Sequence, residues 1–210
     1  MSVIQTDILD FIRRRGSGKV YTSKDLLHLG SRAAIDQTLS RLVRAGELQR
    51  LARGLYYYPK SNPRLGIAVA ASPDEIAGAL ARQTGSRIVP SGALAANQLG
   101  LSTQVPAKHV YLTDGRSREV RVGNQVFAMK HVAPKELPIG SPVSAAVFQA
   151  LRYLGTDSID EDVIARLRRR VSAKQQRELL RDARYTTGWI GDIVRKIASH
   201  TPSDEERLRG

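Results

Sequence analysis

Apolar residues recur at helical spacing from the start of the chain. Val3, Ile4, Ile8, Phe11 and Ile12 share one side, with Asp7, Asp10 and Arg13 opposite, which predicts a helix over residues 2–14. Arg13-Arg14-Arg15-Gly16 ends it, since cations suit the C-terminal dipole and glycine supplies the stop. Lys19-Val20-Tyr21 is a short extended stretch, and Thr22 or Ser23 caps a brief second helix that Leu29-Gly30 closes. Ser31 caps a third helix whose inward stripe is Ile35, Leu39, Leu42 and Val43, and Ala45-Gly46 stops it. Leu48, Leu51, Leu55 and Tyr57 then read as strand residues about a turn at Arg53-Gly54, with Pro59 ending the second strand. The order helix, strand, helix, tight turn, helix, hairpin predicts a winged helix-turn-helix over residues 1–60.

Residues 61–72, with prolines at 63 and 73, predict a connector, so the expected domains are 1–60 and 73–210. Beyond it, Pro73-Asp74-Glu75 opens a helix to about Gln83, Arg87 to Pro90 is a strand, and Ser91 to Leu99 is a small-residue helix. Strands follow at His109 to Thr113, Glu119 to Val122 and Gln125 to Val132, separated by Gly-containing turns. Helices then fill 142–154, 158–170, 172–182 and 187–199, and the polar tail from Thr201 to Gly210 is expected to fray. The expected fold class is mixed α+β. A winged helix-turn-helix precedes an α/β C-terminal domain with a small antiparallel sheet and a helical C-terminal region.

Charge turns this outline toward a polyanionic partner. The 210 residues carry a formal net charge of +13. Residues 1–60 hold 11 Lys/Arg against 5 Asp/Glu, and the remaining 150 residues hold 22 against 15, so the charge density is about twice as high in the first segment. No apolar run approaches a membrane span, and residues 1–10 are too polar for a signal peptide. The chain has no cysteine, which removes disulfides, thiolate metal sites and a cysteine nucleophile together. The expectation is a cytoplasmic protein without a membrane partner.

The third helix is the candidate recognition element. Its outward positions include Arg32, Ala33, Asp36, Gln37, Ser40, Arg41 and Arg44. Ser31, Arg32, Asp36 and Gln37 lie in its first two turns, the part of such a helix that reaches base edges in the major groove. Arg pairs bidentately with guanine and Gln with adenine, whereas Arg41 and Arg44, further along, suit phosphate. Arg50 and Arg53 sit on the wing, Arg53 at its tip. Thr22, Ser23 and Lys24 at the start of the second helix suggest a phosphate site built on free N–H groups. Among Tyr56-Tyr57-Tyr58, alternation puts one side in the core and leaves open whether Tyr56 faces DNA. A second basic surface comes from Arg166, Arg169, Arg170, Lys174, Arg177 and Arg181, with Arg168 and Arg184 nearby. It fits a second DNA contact, an acidic partner or a solvated face.

Nothing here spells an enzyme, a metal site or a cofactor. His28, His109, His131 and His200 are scattered, and there is no Walker loop or dinucleotide fingerprint. Asp157, Asp160, Glu161 and Asp162 cluster where acids favour a helix N-terminus without any metal. The Ser91-Gly92 turn lacks the further glycines or lysine of an anion cradle, and close packing accounts for it.

Two stretches resemble the AbiEi-type antitoxin family. One is Ser31-Arg32-Ala33-Ala34-Ile35-Asp36-Gln37-Thr38-Leu39-Ser40-Arg41-Leu42 with Gly46 and Arg50-Leu51-Ala52-Arg53-Gly54-Leu55-Tyr56-Tyr57-Tyr58-Pro59. The other is Pro90-Ser91-Gly92-Ala93 through Leu99-Gly100-Leu101-Ser102-Thr103-Gln104-Val105-Pro106, then Tyr111-Leu112-Thr113-Asp114-Gly115. The similarity covers roughly residues 5–155. It implies an antitoxin of a type IV toxin–antitoxin pair linked to abortive infection by phage. Such a protein opposes a nucleotidyltransferase-like toxin and represses its own operon at inverted repeats in double-stranded DNA. A winged-helix regulator unrelated to any toxin, or a winged-helix protein-interaction module, fits the residues without that resemblance.

Overall fold

In the computed structural model, which describes residues 3–62 and 67–199, helix α1 (Val3–Arg15) turns Ile8, Leu9 and Ile12 inward. Strand β1 (Lys19–Tyr21) and a 3-10 helix (Ser23–Leu29) lead to α2 (Arg32–Arg44). The Ser31 hydroxyl caps α2 by accepting from the Ala34 amide. Strands β2 (Gln49–Ala52) and β3 (Leu55–Tyr58) form a hairpin, and β1 pairs antiparallel with β3, giving the order β1-β3-β2. The two-residue turn Arg53-Gly54 needs a left-handed residue, and Gly54 supplies it at φ +74°. Ile8, Ile12, Leu26, Ile35, Leu39, Leu42, Leu48 and Tyr56 make one core between helices and sheet.

The expected connector departs from its outline. Strands β4 (Lys60–Asn62) and β5 (Ile67–Val69) pair antiparallel within it, with Lys60 opposite Val69. Its residues 63–66 lie outside the described residues. The Tyr57 hydroxyl donates to the Val69 carbonyl at 2.7 Å.

Helix α3 (Pro73–Thr84) likewise sits elsewhere than the second domain expected for it: it packs on β1, β3 and the 3-10 helix. Lys19 pairs with Glu75 at 2.5 Å, and Arg82 bonds both the Val20 carbonyl (2.7 Å) and Asp25 (3.0 Å). With helices on one face of the sheet and α3 on the other, Tyr56 and Tyr57 are both buried despite their alternation. This removes Tyr56 from any DNA-facing role.

Contacts divide the chain into two units, Met1–Ile88 with Arg118–Phe127, and Val89–Ser117 with Ala128–Gly210. The expected boundary at 61–72 therefore moves to about residue 88, because the ion pairs and packing of α3 belong to the first unit. The Arg118 guanidinium adds to it, donating to Gln83 (3.2 Å) and to the Leu80 carbonyl (2.7 Å), and burial lowers its pKa.

Strands β6 (Ile88–Pro90), β7 (His109–Thr113), β8 (Arg118–Val122) and β9 (Gln125–His131) form a sheet of order β6-β7-β9-β8. In the second unit α4 (Gly92–Gln98) packs closely on α5 (Pro142–Leu154). A Cβ on Gly92 would lie 2.5 Å from Tyr153, so the Ser91-Gly92 turn is a packing site. Helices α6 (Glu161–Arg170), α7 (Ala173–Asp182) and α8 (Gly188–Ala198) complete a core of Phe148, Leu151, Leu167, Leu179, Ile190 and Val194. The Asp182 carboxylate is buried at the start of α5, accepting from the Ser141 amide and the Ser144 hydroxyl, each at 2.8 Å. The mixed α+β class stands. The tail at 201–210 lies outside the described residues. Among the described residues no helix is long and apolar enough to cross a membrane.

Candidate nucleic-acid interface

Helix α2 buries Ile35, Thr38, Leu39 and Leu42, and this fixes which residues remain outside. Ala33, Gln37, Arg41 and Arg44 are exposed at i, i+4, i+8 and i+11, a stripe running roughly 16 Å along the helix. Among the described residues, no acid pairs with Arg41, Arg44, Arg50 or Arg53. All four are exposed. The Arg53 carbonyl accepts from the Gln83 amide at 3.2 Å, so the tip of the β2–β3 hairpin is held by the last turn of α3 while the Arg53 side chain stays outside.

Other candidates are already engaged. Asp36 is not an open acceptor: one carboxylate oxygen takes a bond from Arg32 Nε at 2.9 Å and the other from the Ser23 hydroxyl. The Ser40 hydroxyl is bonded to the Asp36 carbonyl at 2.9 Å. Ser31 serves as the α2 cap.

The phosphate site expected at Thr22, Ser23 and Lys24 is closed. Thr22 is 0% and Ser23 3% exposed, and Asp25 Oδ2 takes both the Thr22 amide (2.8 Å) and its hydroxyl (3.1 Å). A carboxylate thus takes the two Thr22 donors that an anion would have used. Lys24 alone of the three is exposed.

The second basic surface divides in the same way. Arg166 pairs with Asp162, and Arg181 pairs with Asp182 at 3.1 Å. Arg168 caps α8 through the carbonyls of Lys196 (2.8 Å) and Ile197 (3.3 Å). Arg184 lies over the Tyr185 ring at 4.6 Å. Arg169, Arg170, Lys174 and Arg177 are exposed and, among the described residues, pair with no acid.

The acids of the 157–162 cluster have local partners: Asp160 caps α6 through the Val163 amide at 2.9 Å, and Glu161 lies 3.7 Å from Lys196. His131 is turned onto its own loop, with Nδ1 2.8 Å from the Gly115 carbonyl and its amide donating to Ser117. A polar cleft of about 300 Å³ lies among Arg15, Lys19, Tyr21, Asp25, Glu75 and Arg82, and its acids are matched by Lys19 and Arg82. Burial, more than its charged neighbours, raises the Tyr21 pKa there. The supports that sequence reasoning missed are Glu75, Arg82, Gln83 and Arg118. Glu75 and Gln83 read only as the two ends of a predicted helix, and no local signal marked Arg82 or Arg118 or named a partner for any of the four.

The chain belongs to the DUF6088 family, a family of unknown function, whose model matches residues 7–179. No curated protein matches it in sequence. It is similar to the RV2827C protein from Mycobacterium tuberculosis, whose crystal structure shares 16% identity at a TM-score of 0.45, over 95% of this chain and 77% of that one.

Proposed function

We propose that this protein is a DNA-binding transcriptional regulator whose first unit is a winged helix-turn-helix, with α2 as the recognition helix and the β2–β3 hairpin as the wing. The observation that carries the reading is the α2 stripe of Gln37, Arg41 and Arg44, exposed and without an acidic partner among the described residues. Cations left unneutralised on a helix that can enter the major groove favour a phosphate backbone, and a glutamine among them can meet a base edge. Element order supports it: helix, strand, helix, helix and hairpin, with β1 pairing along the hairpin strand β3.

The resemblance to AbiEi-type antitoxins extends the proposal. The protein represses its own operon at inverted repeats, and its second unit opposes a nucleotidyltransferase-like toxin. A duplex from immediately upstream of its reading frame, compared with a scrambled duplex by fluorescence anisotropy, tests the DNA half. Growth rescue on co-expression with a neighbouring nucleotidyltransferase-like reading frame tests the antitoxin half. Equal binding to both duplexes, or binding to neither, counts against a sequence-reading regulator.

A further inference from the structure

Arg32 opens α2, and Asp36 lies one turn on, at the spacing where side chains on a helix meet. Arg32 Nε donates to Asp36 Oδ2 at 2.9 Å, and Oδ1 accepts from the hydroxyl of Ser23, which is buried at 3% exposure on the preceding 3-10 helix. Asp36 is therefore fixed from behind, across the turn that joins the two helices. Its hold on Nε removes much of the freedom of a long side chain that is otherwise exposed. Nη1 and Nη2 of Arg32 remain as a two-donor fork, unpaired among the described residues. Guanine is the base whose major-groove edge offers two acceptors, O6 and N7, to such a fork. Adenine sets a donor beside its acceptor there.

Resting on the DNA-binding reading above, we infer that Arg32 reads a guanine in the operator and that Asp36, backed by Ser23, is the positioning residue that presents it. Asp36 touches no base itself. Both of its oxygens are taken, and the Arg32 charge offsets its repulsion of phosphate. The pair thus sets sequence preference at one base pair, while Arg41 and Arg44 supply affinity that is blind to sequence.

The full chain is tested against a duplex library randomised over about 20 base pairs, enough for two half-sites. The wild-type protein is expected to enrich a consensus containing a fixed guanine. Arg32→Ala should lose the preference at that position alone, by roughly 5- to 150-fold. Asp36→Asn and Asp36→Ala should weaken the preference at the same position while binding scrambled duplex at least as well, because a negative charge has gone. On the Arg32→Ala background, either Asp36 change should do nothing more to base preference. A purely structural role for Asp36 would lower affinity for all sequences and leave the consensus alone, and that result overturns the inference. So does an Arg32→Ala change felt at a position that is not guanine. A library with no enriched sequence overturns the DNA-reading role itself, and this inference with it.

Discussion

Arg82 on α3 donates through Nη2 to the carbonyl oxygen of Val20 on β1 at 2.7 Å, 62 positions earlier in the chain. The same guanidinium reaches Asp25, whose other oxygen holds the start of the 3-10 helix through Thr22. One side chain thus ties α3 to both the sheet and the helix that precedes α2. A helix well outside the first sixty residues is bonded to the elements on which α2 packs.

Arg82→Ala should therefore destabilise the first unit by about 1–3 kcal/mol, because the Val20 carbonyl loses its charged donor in a half-buried place. Thermal unfolding followed by circular dichroism gives the magnitude. A fragment of residues 1–60 should fare worse, since it exposes Tyr57, which is 1% exposed in the full chain. Cooperative melting of that fragment at the temperature of the full chain would contradict the placement of α3.

The local elements were legible because their signals are local. The Ser31 cap and the Gly54 turn were read from their own segments, and the structure adds caps of the same kind at Ser72, Ser141 and Ser172. What the residues of a single segment do not carry is pairing at a distance. Nothing in Pro73 to Thr84 announces that Glu75 meets Lys19 or that Arg82 meets Val20, so sequence reasoning places α3 in the wrong unit. The candidate site was legible in the same proportion. Exposure of Gln37, Arg41 and Arg44 followed from helical period, and the Thr22-x-x-Asp25 spacing already carried the local capping box that engages Thr22, whereas the engagement of Asp36 by Ser23, 13 positions away, depends on tertiary packing.

In the second unit, burial alone would raise the pKa of Asp182. Donation from the Ser141 amide, the Ser144 hydroxyl and Arg181 outweighs it and holds the carboxyl below its ordinary value. The unfolded chain then takes up that proton more readily than the folded one. The contribution to stability is full above the ordinary carboxylate range and is lost as pH falls through the folded value. Asp182→Asn should unfold at lower urea than wild type near pH 7, with the gap shrinking at about pH 3. A gap that is constant or wider in acid would refute the assignment.

Gly140 approaches the same carboxylate. Its φ is +119°, and a Cβ placed there would lie 2.5 Å from Asp182 Oδ2 and 2.6 Å from Cγ. Gly140→Ala combines backbone strain with a collision against a buried side chain, and a destabilisation of about 3 kcal/mol or more is expected. Urea denaturation at neutral pH measures it; a value below about 1 kcal/mol, the ordinary cost of alanine at a left-handed site, would show that the carboxylate can retreat.

Phosphate binding announces itself through salt. Arg41→Ala, Arg44→Ala and Arg53→Ala should each weaken binding to every duplex. Each should also lower the slope of log affinity against log salt by about one for each phosphate no longer neutralised. Gln37→Ala should instead lower affinity for the preferred sequence and leave the slope unchanged. Anisotropy titrations across a salt series separate the two behaviours, and an unchanged slope in all three arginine variants would return those residues to a solvated face.

The central claim, that α2 lies in the major groove, is tested most directly by cleavage of DNA from a reagent tethered to the helix. The chain contains no cysteine, so Ala33→Cys on the exposed side of α2 gives one attachment point for an iron chelate that releases hydroxyl radicals, and Thr6→Cys on α1 gives a control in the same unit. With the enriched duplex bound, cleavage from position 33 should fall within a few base pairs at the centre of each half-site, and cleavage from position 6 should be weak there. Equal, diffuse cutting from both positions, or none from position 33 while the duplex is bound, would contradict the account.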